Sequence, residues 1–393
     1  MWQKILIIPI SLLLILACKP NTNKISKQTE KQFVKQILDS LLPDKRDAVF
    51  EFEVKKTDKY IVLKGKTDKS ELKTNLFKIL HKSFPDVLDS IQLLPDKDLN
   101  EKIAVCRLSV ANLRSAPKHS AELVTQVLTG MPMQLLEKNN GFYRVKTPEN
   151  YYAWVDAAGI EIMTKKAYKQ WVKLPKAIAI QHCGKLYQKP SEHAQVVADF
   201  VLNDVFALLK KGKNFSQILL PDGRKTFIDN KAFLDLHEFE NRNKHIKPEL
   251  IVNFAKQYLG IPYLWGGTST KALDCSGFSK NLYAQAGYLL PRDASQQVKI
   301  GKKLPVTNKF EQLQAGDLLF FGRIENGKQK ITHVAVHIND GLIIHATGEV
   351  KIESLNPNSP LYNSKRRQTW LQARRLLGII PQNFVAIYKE KSP

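Results

Sequence analysis

Cys275 sits where an aromatic, glycine-rich loop runs into a helical pattern, in the stretch 263–278 that reads Y-L-W-G-G-T-S-T-K-A-L-D-C-S-G-F. Phe278, Leu282 and Ala286 follow at intervals of four, and Gly287 stands where a helix would stop. Asp274 is then the natural N-cap, with Cys275 in the first turn. Unsatisfied N–H groups and the helix dipole at that end favour an anion, so the pattern predicts a thiol that ionises readily. A thiolate attacks carbonyl carbon well, but it needs a base and a group that orients the base.

The stretch 332–338, T-H-V-A-V-H-I, supplies them. It alternates like a strand, with His333, Ala335 and His337 on one face and Val334, Val336 and Ile338 on the other. Asn339-Asp340-Gly341 is a turn signal and 342–346 reads as the returning strand. A three-residue loop with Gly341 left-handed would set His345 opposite Ala335, one diagonal step from His333. A two-residue Asp-Gly loop would turn His345 to the other face. One cysteine and two histidines able to share a face make a nucleophile, a base and an orienter. His337 lies on the same face and is read as packing or exposed.

The D-C-S-G-F motif, the H-V-A-V strand and the I-I-H-A-T segment, in this order, resemble the NlpC/P60 family of papain-like cysteine peptidases, which cleave cell-wall peptides. The resemblance covers about 251–388. It implies Cys275 as nucleophile, His333 as general base and His345 as its orienter, with no metal or other cofactor. By the same resemblance Tyr263, Trp265, Asp274, Ser276, Asp293 and Ser295 contact substrate. Within that set Tyr263 would aim at the oxyanion, Asp274 would cap the helix or hold an ammonium group, and Trp265 would wall the cleft.

The chain has 393 residues, 43% of them hydrophobic, and a net charge of +23. It is long enough for several cores and is drawn to something acidic. Its lysines are spread out and it has no zinc-finger or RRM signature, which argues against nucleic acid and leaves anionic lipid and carboxylate-rich wall peptides. Residues 1–18 read as a targeting segment: Lys4, an apolar run over 5–16, then I-L-A-C. This end resembles a bacterial lipoprotein signal, with Cys18 as the lipidated residue. It implies a membrane-anchored protein of the cell envelope facing the periplasm. Cys106 and Cys183 fall in different predicted domains and are expected as separate buried thiols.

In chain order, 19–30 reads as a polar tether and 31–95 as a small α-β-β-α-β module, loosely similar to BON-type modules. Short strands with turn signals over 99–165, including N-L-R-S-A-P and A-W-V-D, resemble a bacterial SH3-like β-barrel. Residues 171–236 repeat the logic more faintly. A charged linker is expected at 238–247, and the catalytic domain is assigned to 237–393. Its helices come first (249–260 and 275–286), then strands at 313–321, around His333 and His345, and late at 376–380 and 384–388. The expected fold class is multidomain α+β.

An SH3-like pair ahead of an NlpC/P60 domain is similar to the γ-D-glutamyl-L-diamino acid endopeptidases. That likeness implies that the first barrel leans over the cleft and admits only stem peptides with a free N-terminal L-alanine, such as L-Ala-γ-D-Glu-diaminopimelate. Glu122 and Tyr152 then hold the amine, with Tyr151 as the substitute for Tyr152 if the register is shifted by one. Two other readings remain at this level: a hydrolase of intact peptidoglycan, and a non-catalytic peptidoglycan-binding protein.

Overall fold

The computed structural model describes residues 27–389, apart from Asp58 and Asn308. Cys18 and the targeting segment lie outside the described residues.

The chain divides into two compact units. The smaller contains the helix Lys27–Leu41, most of the strands Phe50–Lys56, Ile61–Thr67 and Val87–Leu93, and the helix Ser70–Ser83. The strands form one sheet in chain order. Leu72, Leu76 and Leu80 recur at helical spacing and are buried with Phe77. The first helix starts at Lys27, inside the segment 19–30 read as a tether. Two short pieces of this region, Lys45–Phe50 and Lys66–Lys69, belong to the larger unit, which runs on from Gln92.

The larger unit is built on three antiparallel sheets. In the first, seven strands from Ile103–Cys106 to Ile160–Met163 close around Ala104, Leu113, Val127, Met133, Leu135, Val145 and Val155. The second, also of seven strands, runs from Lys176–Ala179 to Phe233–Asp235 around Leu186, Phe200, Phe206, Ile218 and Ile228. Between them stands a helix that the sequence reading did not anticipate, Lys165–Lys173, capped by Thr164 and buried through Tyr168 and Trp171. The expected charged linker is also helical: Leu236–Asn243 opens with a capping box between Asp235 and Glu238 and buries Phe239. The charges at 238–247 masked that signal, because the buried face is only a few residues wide.

The third sheet has six strands in the order Lys302–Leu304, Trp370–Arg375, Leu318–Glu325, Lys328–Asn339, Leu342–Thr347 and Glu349–Ser354. Leu318, Phe320, Val334 and Ile344 pack on the helix Cys275–Gln285 through Phe278 and Leu282. Leu319, Phe321, Ala335 and Ile343 pack on the other side with Leu355 and Trp370. Two buried faces explain the unbroken apolar run L-L-F-F at 318–321. The late strand expected at 376–380 lies earlier, at Trp370–Arg375. Val385–Tyr388, expected as a strand, is a 3-10 turn that packs against Leu236 and Phe239.

Every residue of Cys275–Gln285 is buried, polar ones included. Burial of that kind requires partners. Asn281 takes a bond from Tyr258 Oη at 2.6 Å and donates to Thr268 O at 3.0 Å. Ser279 donates to Gln297 Oε1 at 2.7 Å, and Lys280 pairs with the buried Glu149 at 3.1 Å. The helix that carries the cysteine is therefore fixed by polar contacts on all sides.

Candidate active site

Asp274 is the N-cap of that helix, accepting from Gly277 N at 2.7 Å. Its other contacts come from Gly266 N at 3.0 Å and from Arg292 Nη2 at 2.6 Å. A Cβ on Gly277 would lie 2.0 Å from Gly267 O, so only glycine lets the helix start press against the 263–267 loop. Gly266 has φ +80, and a Cβ there would meet Leu123 O at 2.3 Å. The same loop thus approaches the first seven-stranded sheet at backbone distance.

Cys275 is buried, and two sets of influences act on its thiol. Burial and the Asp274 charge push it up to about 11, against the Val334 and Ser276 backbone groups and Arg292, which pull it down. Burial thus opposes the easy ionisation expected from the helix end.

His333 Nε2 and His345 Nδ1 are 2.7 Å apart. The turn that brings them together differs from both alternatives read from sequence. Asp340 and Gly341 both have positive φ and form a two-residue loop, with Asn339 paired to Leu342. By itself that loop would misalign the histidines. A bulge between His337 and Asn339 absorbs one residue, so Val336 pairs with Ile344 and His345 regains the face of His333.

Behind them stands a residue that the sequence reading missed. Glu353 Oε2 lies 3.1 Å from His345 Nε2, close but off-line as a hydrogen bond. The contact with His345 holds the Glu353 carboxyl down at about 2, with help from Lys351. A carboxylate at Nε2 keeps the His345 proton on that nitrogen, so Nδ1 accepts from His333 Nε2–H. Nδ1 of His333 is then its unprotonated nitrogen. Burial depresses both imidazoles, that of His333 with further contributions from His345 and Arg366. Glu353 follows the motif segments by only a few residues, and its place opposite Ile343, one diagonal step from His345, emerges only from the pairing of Leu342–Thr347 with Glu349–Ser354.

Comparison with known proteins decides the family. Residues 260–375 match the NlpC/P60 family and 109–161 the bacterial SH3 domain. A γ-D-glutamyl-L-lysine dipeptidyl-peptidase of Bacillus cereus is 31% identical over 254 residues, covering 61% of this chain and 72% of that one. The chain belongs to the NlpC/P60 family. Dipeptidyl-peptidase 6 of Lysinibacillus sphaericus is 27% identical over 271 residues, 66% of this chain and 94% of that protein. The crystal structure of an NlpC/P60 family protein from Bacillus cereus superposes with a TM-score of 0.59 at 26% identity, covering 70% of this chain and 99% of that one.

The NlpC/P60 domain and the matched SH3 domain share a cleft of about 410 Å³. It is lined by Cys275, Asp274, Ser276, Tyr263, Trp265, Asp293 and Ser295 from the former and by Glu122, Val124 and Tyr151 from the latter. Thr332, next to His333, lines it too. Trp265 is 63% exposed and donates from Nε1 to Glu122 Oε1 at 2.7 Å, so the wall of the cleft also orients its acid. The SH3 domain is tied down beside it: Thr268 N donates to Gln126 Oε1 at 2.9 Å and Thr268 Oγ1 to Gln126 O at 3.0 Å.

Two expectations change at this cleft. Tyr152, expected to hold the amine, faces away: its hydroxyl donates to Asp68 at 2.7 Å, and it packs with Val49, Leu94 and Leu136. Tyr151 lines the cleft instead, because neighbouring side chains at the start of a strand point to opposite sides. Asp274 and Ser276 line the cleft, but their polar atoms are engaged with Arg292: Nη1 lies 2.9 Å from Ser276 Oγ and 3.2 Å from Asp274 Oδ1. Of the two jobs read for Asp274, the cap is the one its contacts serve. Burial, then the Cys275 and Asp274 charges, push the Tyr263 phenol up to about 12, so it is a donor at neutral pH.

Cys106 and Cys183 are both unpaired; Cys106 is buried, whereas Cys183, expected buried, is exposed. His337 is buried, with Nδ1 3.0 Å from Gln314 O. It borders a larger hollow of about 960 Å³ whose lining includes Glu249, Phe310, Asp340 and Asn358 but no cysteine. Among the described residues no cluster of metal-binding side chains occurs.

Proposed function

We propose that this protein is a cysteine endopeptidase that hydrolyses the γ-D-glutamyl–diamino acid bond of cell-wall peptides carrying a free N-terminal L-alanine. The observation that carries the reading is the state of Glu122. Among the described residues two arginines and three carboxylates line the cleft. Asp274 is paired with Arg292 and Asp293 with Arg46, while Glu122 has no basic partner among the described residues and is held by Trp265. An unpaired carboxylate, fixed by an indole, is a receptor for an ammonium group. Tyr151 adds a phenol, and the adjoining barrel wall disfavours a stem still attached to glycan. The Bacillus cereus relative, named for γ-D-glutamyl-L-lysine, supports the bond type.

The chemistry is acyl transfer. The Cys275 proton passes to His333 as sulfur attacks the γ-carbonyl, and Tyr263 donates to the oxyanion beside the Cys275 N–H. His333 returns the proton to the leaving amine of the diamino acid, leaving a thioester. Water then gives a proton to His333 and its oxygen to the acyl carbon, and the thiol reforms. His345 and Glu353 hold the tautomer of His333 throughout.

Full-length protein, given L-Ala-γ-D-Glu-meso-diaminopimelate and intact sacculi separately, is expected to release L-Ala-D-Glu from the peptide and nothing from the sacculi. Cys275→Ala should abolish the release. Fragments from sacculi would make the protein a wall hydrolase and remove Glu122 from substrate recognition. Anchoring through a lipid on Cys18 belongs to the same reading, with turnover of wall peptides in the envelope as the role. Labelling with a fatty-acid probe, lost in Cys18→Ala, tests it.

A further inference from the structure

Arg46 comes from neither matched region, yet it lines the cleft of the nucleophile. Its Nη1 donates to Asp293 Oδ2 at 2.6 Å and to Ser295 Oγ at 2.9 Å. Its side chain keeps 35% of its surface exposed. The other arginine of the lining, Arg292, is 2% exposed and spends its charge inside the wall on Asp274. Arg46 is thus the more exposed of these two guanidinium groups, and a carboxylate and a hydroxyl are among the groups that hold it in place. An arginine anchored in this way is pre-organised to bind a substrate carboxylate with little further loss of freedom.

The polarity of the cleft follows. Its uncompensated acid, Glu122, lies in the SH3 wall, and its accessible cation lies beside Asp293 and Ser295. A substrate that matches has an ammonium group at its end and a carboxylate close to the scissile carbonyl. A γ-linked glutamate has that form, because linkage through the side chain leaves the α-carboxylate unblocked. An ordinary α-linked peptide has none there, and neither has a γ-linked residue whose α-carboxylate is amidated.

We infer that Arg46 is a specificity-determining residue that binds the free α-carboxylate of the γ-linked glutamate, so that the enzyme discriminates against the α-amidated (isoglutamine) form of the same peptide. This rests on the function proposed above. It assigns to a segment ahead of both matched domains a part in choosing substrate.

The test compares L-Ala-γ-D-Glu-meso-diaminopimelate with its isoglutamine analogue, using full-length wild type, Arg46→Gln and Arg46→Lys. Wild type should prefer the carboxylate peptide in kcat/KM by about tenfold or more, as expected for a charge-assisted contact. Arg46→Gln should lose that preference, chiefly through a higher KM for the carboxylate peptide, with turnover of the amidated one little changed. Arg46→Lys should retain part of it. An unchanged preference in a folded Arg46→Gln protein overturns the inference alone. Faster turnover of both peptides by that variant also overturns it, by showing that Arg46 merely blocks Asp293. If wild type cleaves neither peptide, the underlying function fails and the inference falls with it.

Discussion

Glu353 Oε2 stands 3.1 Å from Nε2 of His345, on the side away from His333. The two contacts make a line of carboxylate, imidazole, imidazole, in which each member fixes the protonation of the next. Replacing Glu353 by Gln keeps the size and removes the charge. The His345 tautomer is then no longer fixed, and kcat should fall by about tenfold or more, with KM little changed. The rate of Cys275 alkylation by iodoacetamide should fall in parallel. Unaltered kcat would assign Glu353 to holding the Lys351 and Arg366 side chains alone.

The pH profile follows from the burial of the histidines. His333 must be neutral to accept the thiol proton, and its environment lowers its affinity for a proton below that of an ordinary imidazole, near 6.5. The acid limb of kcat/KM should therefore have its midpoint below about 6.5. The same depression acts on stability: unfolded chains take up these protons first. The contribution to stability is present above the unfolded value and is lost as pH falls through the folded one. An acid limb centred at or above 6.5 would contradict the buried, mutually repelling pair.

Glu122 offers a kinetic signature that separates recognition from catalysis. Glu122→Gln should raise KM for peptides with a free amine by about tenfold, the size of one charge-assisted bond, and leave kcat nearly intact. Peptides acetylated at the alanine should be poor substrates for wild type and no worse for the variant. Equal losses on both would mean that the carboxylate serves Trp265 rather than the amine.

The Lys280–Glu149 pair predicts a stability effect with no direct part in chemistry. Both side chains are nearly inaccessible, at 9% and 2%. Lys280→Met leaves a buried carboxylate without its cation and should cost about 3–5 kcal/mol, seen as a lower urea midpoint. Replacing both, as Lys280→Met with Glu149→Leu, should recover much of that loss. A single variant as stable as wild type would mean that water reaches Glu149.

What could be read in the sequence followed from local pattern. The D-C-S-G-F stretch carries its own cap in Asp274, and the alternation around His333 identifies a strand and its face. Residues whose role depends on another part of the chain were harder to read. Tyr151 and Tyr152 are adjacent, and only the start of the strand decides which one enters the cleft. The bulge after His337 leaves no signature in composition, yet it decides the face of His345. Glu353 and Arg46 become meaningful only when strand pairing and chain crossing bring them to His345 and Asp293. The surroundings of the Cys275 thiol show the same limit: a helix end is visible in sequence, whereas the depth of burial is not.

The backbone of Gly266 touches that of Leu123, and Thr268 is bonded twice to Gln126. A graft that moved residues 260–375 onto a new scaffold would carry Cys275, His333 and His345 away from Glu122, Tyr151 and Arg46. The transplanted piece would keep only part of the pocket lining. For anyone engineering this chain, the unit that can be exchanged is larger than the NlpC/P60 domain, and its edge runs through the SH3 domain.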